Sequence, residues 1–295
     1  MKNNRIALLP GLSLFVCFCL LTGTGKLAAH YGGGAPFLAA AEGISFLLPL
    51  LLVVLSMRDR KPLMQRLRPK RLPRGALGLT VRMGVAVAVL SLFLNLLIYQ
   101  LAGLAGADLS AIALDAPQSG LSAAGKLLVI VLLSAVVEEV YLRGALLTAH
   151  ERCAGTGPCL LVSGMVFAML HSSLMNFAGP LVAGMAYAYL TYAFGSVWPA
   201  VLAHAVNNLY YVFVVWITET YAAFGIWKHF AAINALILLL FVYLTLRSAE
   251  QLLAKGRIPH FEKSAGLYDV VLLVRNPGVV AFFAAFLVKT VLHWI

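Results

Sequence analysis

Two adjacent carboxylates, Glu138 and Glu139, lie in the apolar stretch LLSAVVEEVYLRGALL, with Arg143 shortly after them. Inside lipid each ionised carboxylate at a helix centre costs about 2.5–3.5 kcal/mol, so the pair costs roughly 5–7 kcal/mol before compensation. Residues that costly face a polar interior and carry a function. The i,i+4 spacing of Glu139 and Arg143 puts them on one helical face, where they pair. Glu138 points about 100° away and is left free for chemistry. The plainer alternative is a bundle-stabilising ion pair with the second glutamate in a wet crevice. Further along, VSGMVFAMLHSS sets Phe167 and His171 on one face, and PAVLAHAVNNLYY does the same for His204 and Asn208. A lone histidine of this kind is usually a hydrogen-bonded packing residue, but together these are groups that general acid–base chemistry recruits. At helical rise, Glu138, His171 and His204 lie roughly 14, 20 and 10 Å from one membrane face. That spread allows a common site.

The elements that carry them are apolar throughout. The chain has 295 residues, 62% hydrophobic and 11% charged, and a mean hydropathy of +0.92. A soluble domain carries roughly twice that charge fraction. Nine apolar stretches recur near membrane-spanning length, at 6–27, 37–57, 77–101, 123–147, 158–175, 180–195, 197–218, 229–247 and 277–295. The sequence therefore predicts an all-α, polytopic membrane helix bundle of about eight to nine transmembrane spans. The first stretch reads as an uncleaved span rather than a signal peptide. The last, which contains Lys289 and His293, reads as a span or an interfacial helix. Three regions follow: N-terminal spans with a basic loop (1–122), the segment carrying the acid, histidine and asparagine residues (123–217), and C-terminal spans (218–295). The loop at 102–122 is expected to be the longest connection on the side away from the basic loop.

The formal charge is +11, and much of it falls in one loop, RDRKPLMQRLRPKRLPRG. A cationic loop between apolar runs faces the cytoplasm and meets anionic lipid headgroups. With the N-terminus cytoplasmic, segments 58–76, 148–157 and 248–276 share that side. No basic stripe with aromatic stacking partners marks a nucleic-acid surface. Cys17, Cys19, Cys153 and Cys159 form no C-x-x-C and suggest no disulfide framework. Asn95 and Asn207 read as interhelical hydrogen-bond formers, and Glu42 as a residue near the outer end of its span that reaches the interface. Tyr187, Tyr189, Tyr192, Tyr210 and Tyr211 read as packing or interface anchors.

Three motifs, E-E-x-x-x-R (Glu138, Glu139, Arg143), F-x-x-x-H (Phe167, His171) and H-x-x-x-N (His204, Asn208), occur in order, each inside an apolar run. Together they resemble the CAAX-protease and bacteriocin-processing family of intramembrane proteases. That family includes the type II CAAX prenyl endopeptidases and the lysostaphin-resistance-like bacterial proteins. Gly144 after the arginine is also usual there, while Leu142 replaces a frequent aromatic. The resemblance covers about 123–217. It implies an intramembrane endopeptidase acting on small peptides or membrane-protein tails, prenylated ones being the family's best-known targets. The short loops and lack of a soluble domain suggest an integral protein of a bacterial inner membrane, in contact with lipid. Glu138 would be the general base and His171 would help hold the water. His204 and Asn208 would donate to the oxyanion, such donors being worth ~3–4 kcal/mol each. Glu139, Arg143 and Phe167 would support them. Two histidines and a carboxylate also make zinc the alternative, with Glu138, His171 and His204 as candidate ligands. No H-E-x-x-H is present, and a metal-free glutamate–histidine mechanism is favoured. The rival from another class is a transporter or proton relay, for which no inverted repeat is visible.

Overall fold

A computed structural model describes residues 4–32, 34–106, 122–151, 155–221, 227–259 and 267–294. Most of the connection at 102–122 lies outside these residues, as does Cys153. The described residues are helical, with no strand among them.

The long apolar stretches become helices because a backbone in lipid must satisfy its hydrogen bonds internally. In chain order these are α1 (Asn4–Tyr31), α2 (Ala35–Ser56), the short α3 (Lys61–Leu67) and α4 (Ala76–Leu104). A composite helix, α5, then covers residues 123–150. It is followed by α6 (Thr156–Leu170), α7 (Ala178–Phe194) and α8 (Trp198–Tyr221). The chain closes with α9 (Trp227–Ala254), α10 (Leu267–Val274) and α11 (Pro277–Trp294). Within α1, α2, α4, α8 and α9, five segments are long and apolar enough to cross a membrane. The protein is an all-helical, integral membrane bundle. Each of the nine apolar stretches has a helix, while α3 and α10 were not foreseen. The fifth stretch is shorter than expected: α6 stops at Leu170, so His171 caps its C-terminus instead of sitting within it.

The core runs through all three sequence regions. Leu14 and Phe18 of α1, Phe46 and Val53 of α2, Tyr141 of α5, Phe167 of α6, Tyr187 of α7 and Phe282 of α11 belong to one buried cluster. Lipid-facing leucines remain on the outside, for example Leu236, Leu239 and Leu246 of α9. Helices α6 and α7 approach closely, where small residues let backbones meet. A methyl group added at Gly184 would lie 2.8 Å from Gly164 Cα and 2.9 Å from Phe167 Cβ.

The predicted basic side is assembled as a unit. Arg66 pairs with Glu151 at the end of α5 and Lys70 donates to the Gly195 carbonyl at 2.5 Å. Trp198 Nε1 donates to Leu67 O at 2.8 Å, and Arg257 Nη1 donates to Arg74 O at 3.0 Å. These bonds tie the basic loop to the ends of α5, α7, α8 and α9.

Candidate active site

The site forms where α5 changes its winding. Residues Lys126–Leu133 and Val140–Leu146 follow wider, π-helical turns, and Ser134–Glu139 between them is α-helical. Such local widening is frequent at functional positions. It leaves Glu138 and Glu139 at the end of the ordinary turn, facing different neighbours.

Glu139 is fully buried, as is Arg143. Its Oε1 accepts hydrogen bonds from Arg143 Nη1 at 2.9 Å and from His204 Nδ1, also at 2.9 Å. Arg143 Nη2 donates to the Gly184 carbonyl at 3.0 Å, and its guanidinium lies 4.6 Å from the centre of the Phe167 ring. The pairing read from i,i+4 spacing is therefore present. His204 is an additional partner that spacing within one helix does not reveal.

His204 is itself nearly buried, stacked on Tyr187 with ring centres 5.0 Å apart and edge-on to Phe167 at 5.5 Å. Donation from Nδ1 to a carboxylate fixes the ring orientation and leaves Nε2 as its working nitrogen. His171 lies on the other edge of Phe167, 4.8 Å between ring centres. Its Nδ1 donates to Phe167 O at 2.8 Å. A carbonyl can only accept, so His171 keeps its Nε2 lone pair free. Ser172, with φ +58°, turns the chain sharply after it. A non-glycine residue in the left-handed region is uncommon and costs of order 1–3 kcal/mol. Here it ends α6 with the imidazole exposed.

Glu138 lies on the side of this group nearer α1 and α2, still within electrostatic reach of Arg143 and Tyr187. Its carboxyl is within hydrogen-bonding reach of Glu42, and Cys17 of α1 lies close to both. One turn along each helix, Phe46 packs on Tyr141 with centres 6.1 Å apart, and Tyr141 shares a 2.9 Å hydrogen bond with Ser13 of α1. The expectation that Glu42 reaches the membrane interface is thus corrected: α2 runs alongside α5 and holds Glu42 at the depth of Glu138. No spacing rule within one helix could have shown this. Tyr187, read as a packing residue, does pack, and its fully buried hydroxyl is within electrostatic reach of Glu138 and Glu139. That hydroxyl has no hydrogen-bond partner among the described residues.

Asn208 stands differently. Both hydrogens of its amide are engaged, with Ile130 O at 2.9 Å and Ser134 Oγ at 3.2 Å. It fastens α8 to the widened part of α5. The zinc alternative meets a geometric obstacle. Among the described residues no three His, Cys, Asp or Glu side chains are gathered as a metal-ligand group, so Glu138, His171 and His204 do not fit an ion as they stand.

Residues 120–210 match the family model for "Type II CAAX prenyl endopeptidase Rce1-like". The matched segment runs from the start of α5 into α8 and holds Glu138, Glu139, Arg143, Phe167, His171, His204 and Asn208. No curated protein matches the chain. No solved structure matches it either.

Proposed function

We propose that the protein is an intramembrane endopeptidase that hydrolyses peptide bonds of membrane-embedded peptides or protein tails without a metal. The observation that carries this reading is the division of labour between neighbouring glutamates. Glu139 is committed to Arg143 and His204, while Glu138 makes no ion pair among the described residues and meets a second carboxyl, Glu42. A hydrogen bond between two carboxyls requires one proton between them. For Glu138 to act as base that proton rests on Glu42, whose donated hydrogen bond then aims the Glu138 carboxylate.

The reaction then runs through this chain's own groups. Glu138 removes a proton from water as the water oxygen adds to the scissile carbonyl carbon. The Nε2 lone pair of His171 accepts the second hydrogen of that water and fixes its approach. Negative charge develops on the carbonyl oxygen, where His204 Nε2–H donates. To do so the ring must carry both protons, and Glu139 provides the counter-charge, as the buried acid does in a serine-protease triad. The charges balance: the Glu42–Glu138 pair and Glu139 bring one negative charge each, against Arg143 and imidazolium His204. The proton taken by Glu138 finally passes to the leaving amine as the C–N bond breaks. Asn208 holds α5 and α8 in register, a positioning role that differs from the expected direct donation. The match to a type II CAAX endopeptidase model supports peptide hydrolysis, and a prenylated C-terminal peptide is the first substrate to try.

The test uses purified full-length protein, reconstituted in lipid, with a membrane-anchored peptide library that includes prenylated members. Glu138→Gln is expected to lose cleavage by about 10²–10⁴-fold while remaining folded. Full activity in this variant would overturn the assignment. Solute flux in liposomes without cleavage would point to the transporter class instead.

A further inference from the structure

A second concavity, remote from the glutamates, lies where α4 and α9 meet on the side of the basic loop. Its volume is about 390 Å³, and Arg74, Arg82, Lys255, Arg257, Ser248 and Gln251 supply its polar lining. Pockets of roughly 300–1,000 Å³ are the usual size for small-ligand sites. Four cations line this one and no acid does. None of the four has a carboxylate partner among the described residues, where Arg66, Arg143 and Arg247 each have one. Like charges held this close repel, and Arg82 is partly buried inside the apolar span α4, where its charge is costly.

The fold holds these cations apart from one another by design of the helix ends. Arg82 Nη1 donates to Ser248 Oγ at 2.5 Å, and Arg257 is anchored on Arg74 O. Gly75, at φ +92°, opens α4 at the rim, so the positive end of that helix adds to the field. Leu252 of its lining belongs to a buried cluster with Leu79 and Ile258.

The seam between the two helices continues from this pocket into an apolar groove of about 170 Å³. Met83, Ala86 and Leu90 of α4 face Val242, Thr245 and Leu246 of α9 across it. Met83 follows Arg82 directly, and Thr245 lies one turn from Ser248. The Thr245 hydroxyl is nearly buried and has no hydrogen-bond partner among the described residues. A free phosphate would need only the cationic pocket. A molecule with an anionic head and an alkyl chain uses the cations and the groove in that order.

We infer that the α4–α9 seam is a binding site for one anionic phospholipid, its phosphate between Arg74, Arg82, Lys255 and Arg257 and an acyl chain in the groove beyond Thr245. The site is independent of the proteolytic reading. Bound there, the lipid neutralises the cluster and clamps α4, which also packs on α8, to the basic loop.

The experiment places full-length protein in nanodiscs of phosphatidylcholine doped with phosphatidylglycerol and reads retained lipid by native mass spectrometry. Wild type should retain one phosphatidylglycerol. Arg74→Gln/Lys255→Gln, both exposed side chains, should lower its retention by about tenfold or more. Arg58→Gln/Arg60→Gln, which removes equal charge from the exposed loop, should leave it unchanged. Val242→Phe, which fills the groove without touching charge, should also lower retention. Equal loss in the two charge variants would reduce the site to diffuse surface attraction and overturn the inference. So would release of the lipid by inorganic phosphate with no effect of Val242→Phe, which would mean a phosphate site with no place for a chain.

Discussion

Glu139→Gln removes one charge and leaves the outline of the side chain unchanged, and the structure makes its consequence large. A single oxygen, Glu139 Oε1, accepts from both Arg143 Nη1 and His204 Nδ1 at 2.9 Å, and neither Glu139 nor Arg143 is exposed. Hydrogen bonds to charged groups contribute about 1.5–3 kcal/mol each. Removing one member of a buried ion pair costs about 3–5 kcal/mol, because the remaining charge is stranded. The glutamine oxygen still accepts, so the expected loss is at the lower end, about 3 kcal/mol. Glu138→Gln strands no cation and should cost below about 1 kcal/mol. The decisive comparison is Glu139→Gln/Arg143→Met, which removes both charges and should recover most of the loss. Reversible unfolding of the full chain in bicelles, followed by tryptophan fluorescence, measures all three. The reasoning fails if Glu139→Gln is no more destabilising than Glu138→Gln, or if the double variant is no better than Glu139→Gln alone.

Other expectations concern the chemistry. At His204, glutamine reaches the position of Nε2 and asparagine that of Nδ1; if Nε2 works on the oxyanion, His204→Gln should cleave about tenfold faster than His204→Asn. Equal rates would remove that role. Glu42→Gln still offers a donor to Glu138 and should retain much of the activity, whereas Glu42→Leu should lose it, both read as kcat at saturating peptide. If leucine is tolerated, the carboxyl pair is incidental. Treatment with a strong zinc chelator followed by its removal should leave the cleavage rate unaltered; loss that zinc alone restores would refute the metal-free route.

The sequence made most of this arrangement legible where one helix carries the information. Glu139 and Arg143 pair because four residues bring side chains back to the same face, a relation that survives although Val140–Arg143 belong to the second widened stretch. The nine apolar stretches could be placed because lipid demands long runs without charge. What stayed hidden depends on contacts between helices. Glu42 looked interfacial because its nearest relation in sequence is a helix end, while its relation in space is Glu138. His204 Nδ1 and Asn208 were read as a pair on one face, yet one turns to Glu139 and the other to Ile130 and Ser134. The helix α3 was missed because its charges resemble a loop, although bonds donated by Arg66 and Lys70 and accepted by the Leu67 carbonyl dock this segment on the bundle.

The shortness of α6 has a consequence for hydration. Fifteen residues rise about 22 Å, less than the ~30 Å of hydrocarbon that a span must cross. With α6 starting at the surface beside the basic loop, the bend at Ser172 is expected below the opposite surface, where its non-helical backbone must meet protein or a wet funnel. A cysteine at exposed Leu174 should react with a membrane-impermeant thiol reagent added from that face, and silence from it would close this route. In that arrangement the reactant water would descend to His171 from the side of the bilayer opposite the proposed lipid site.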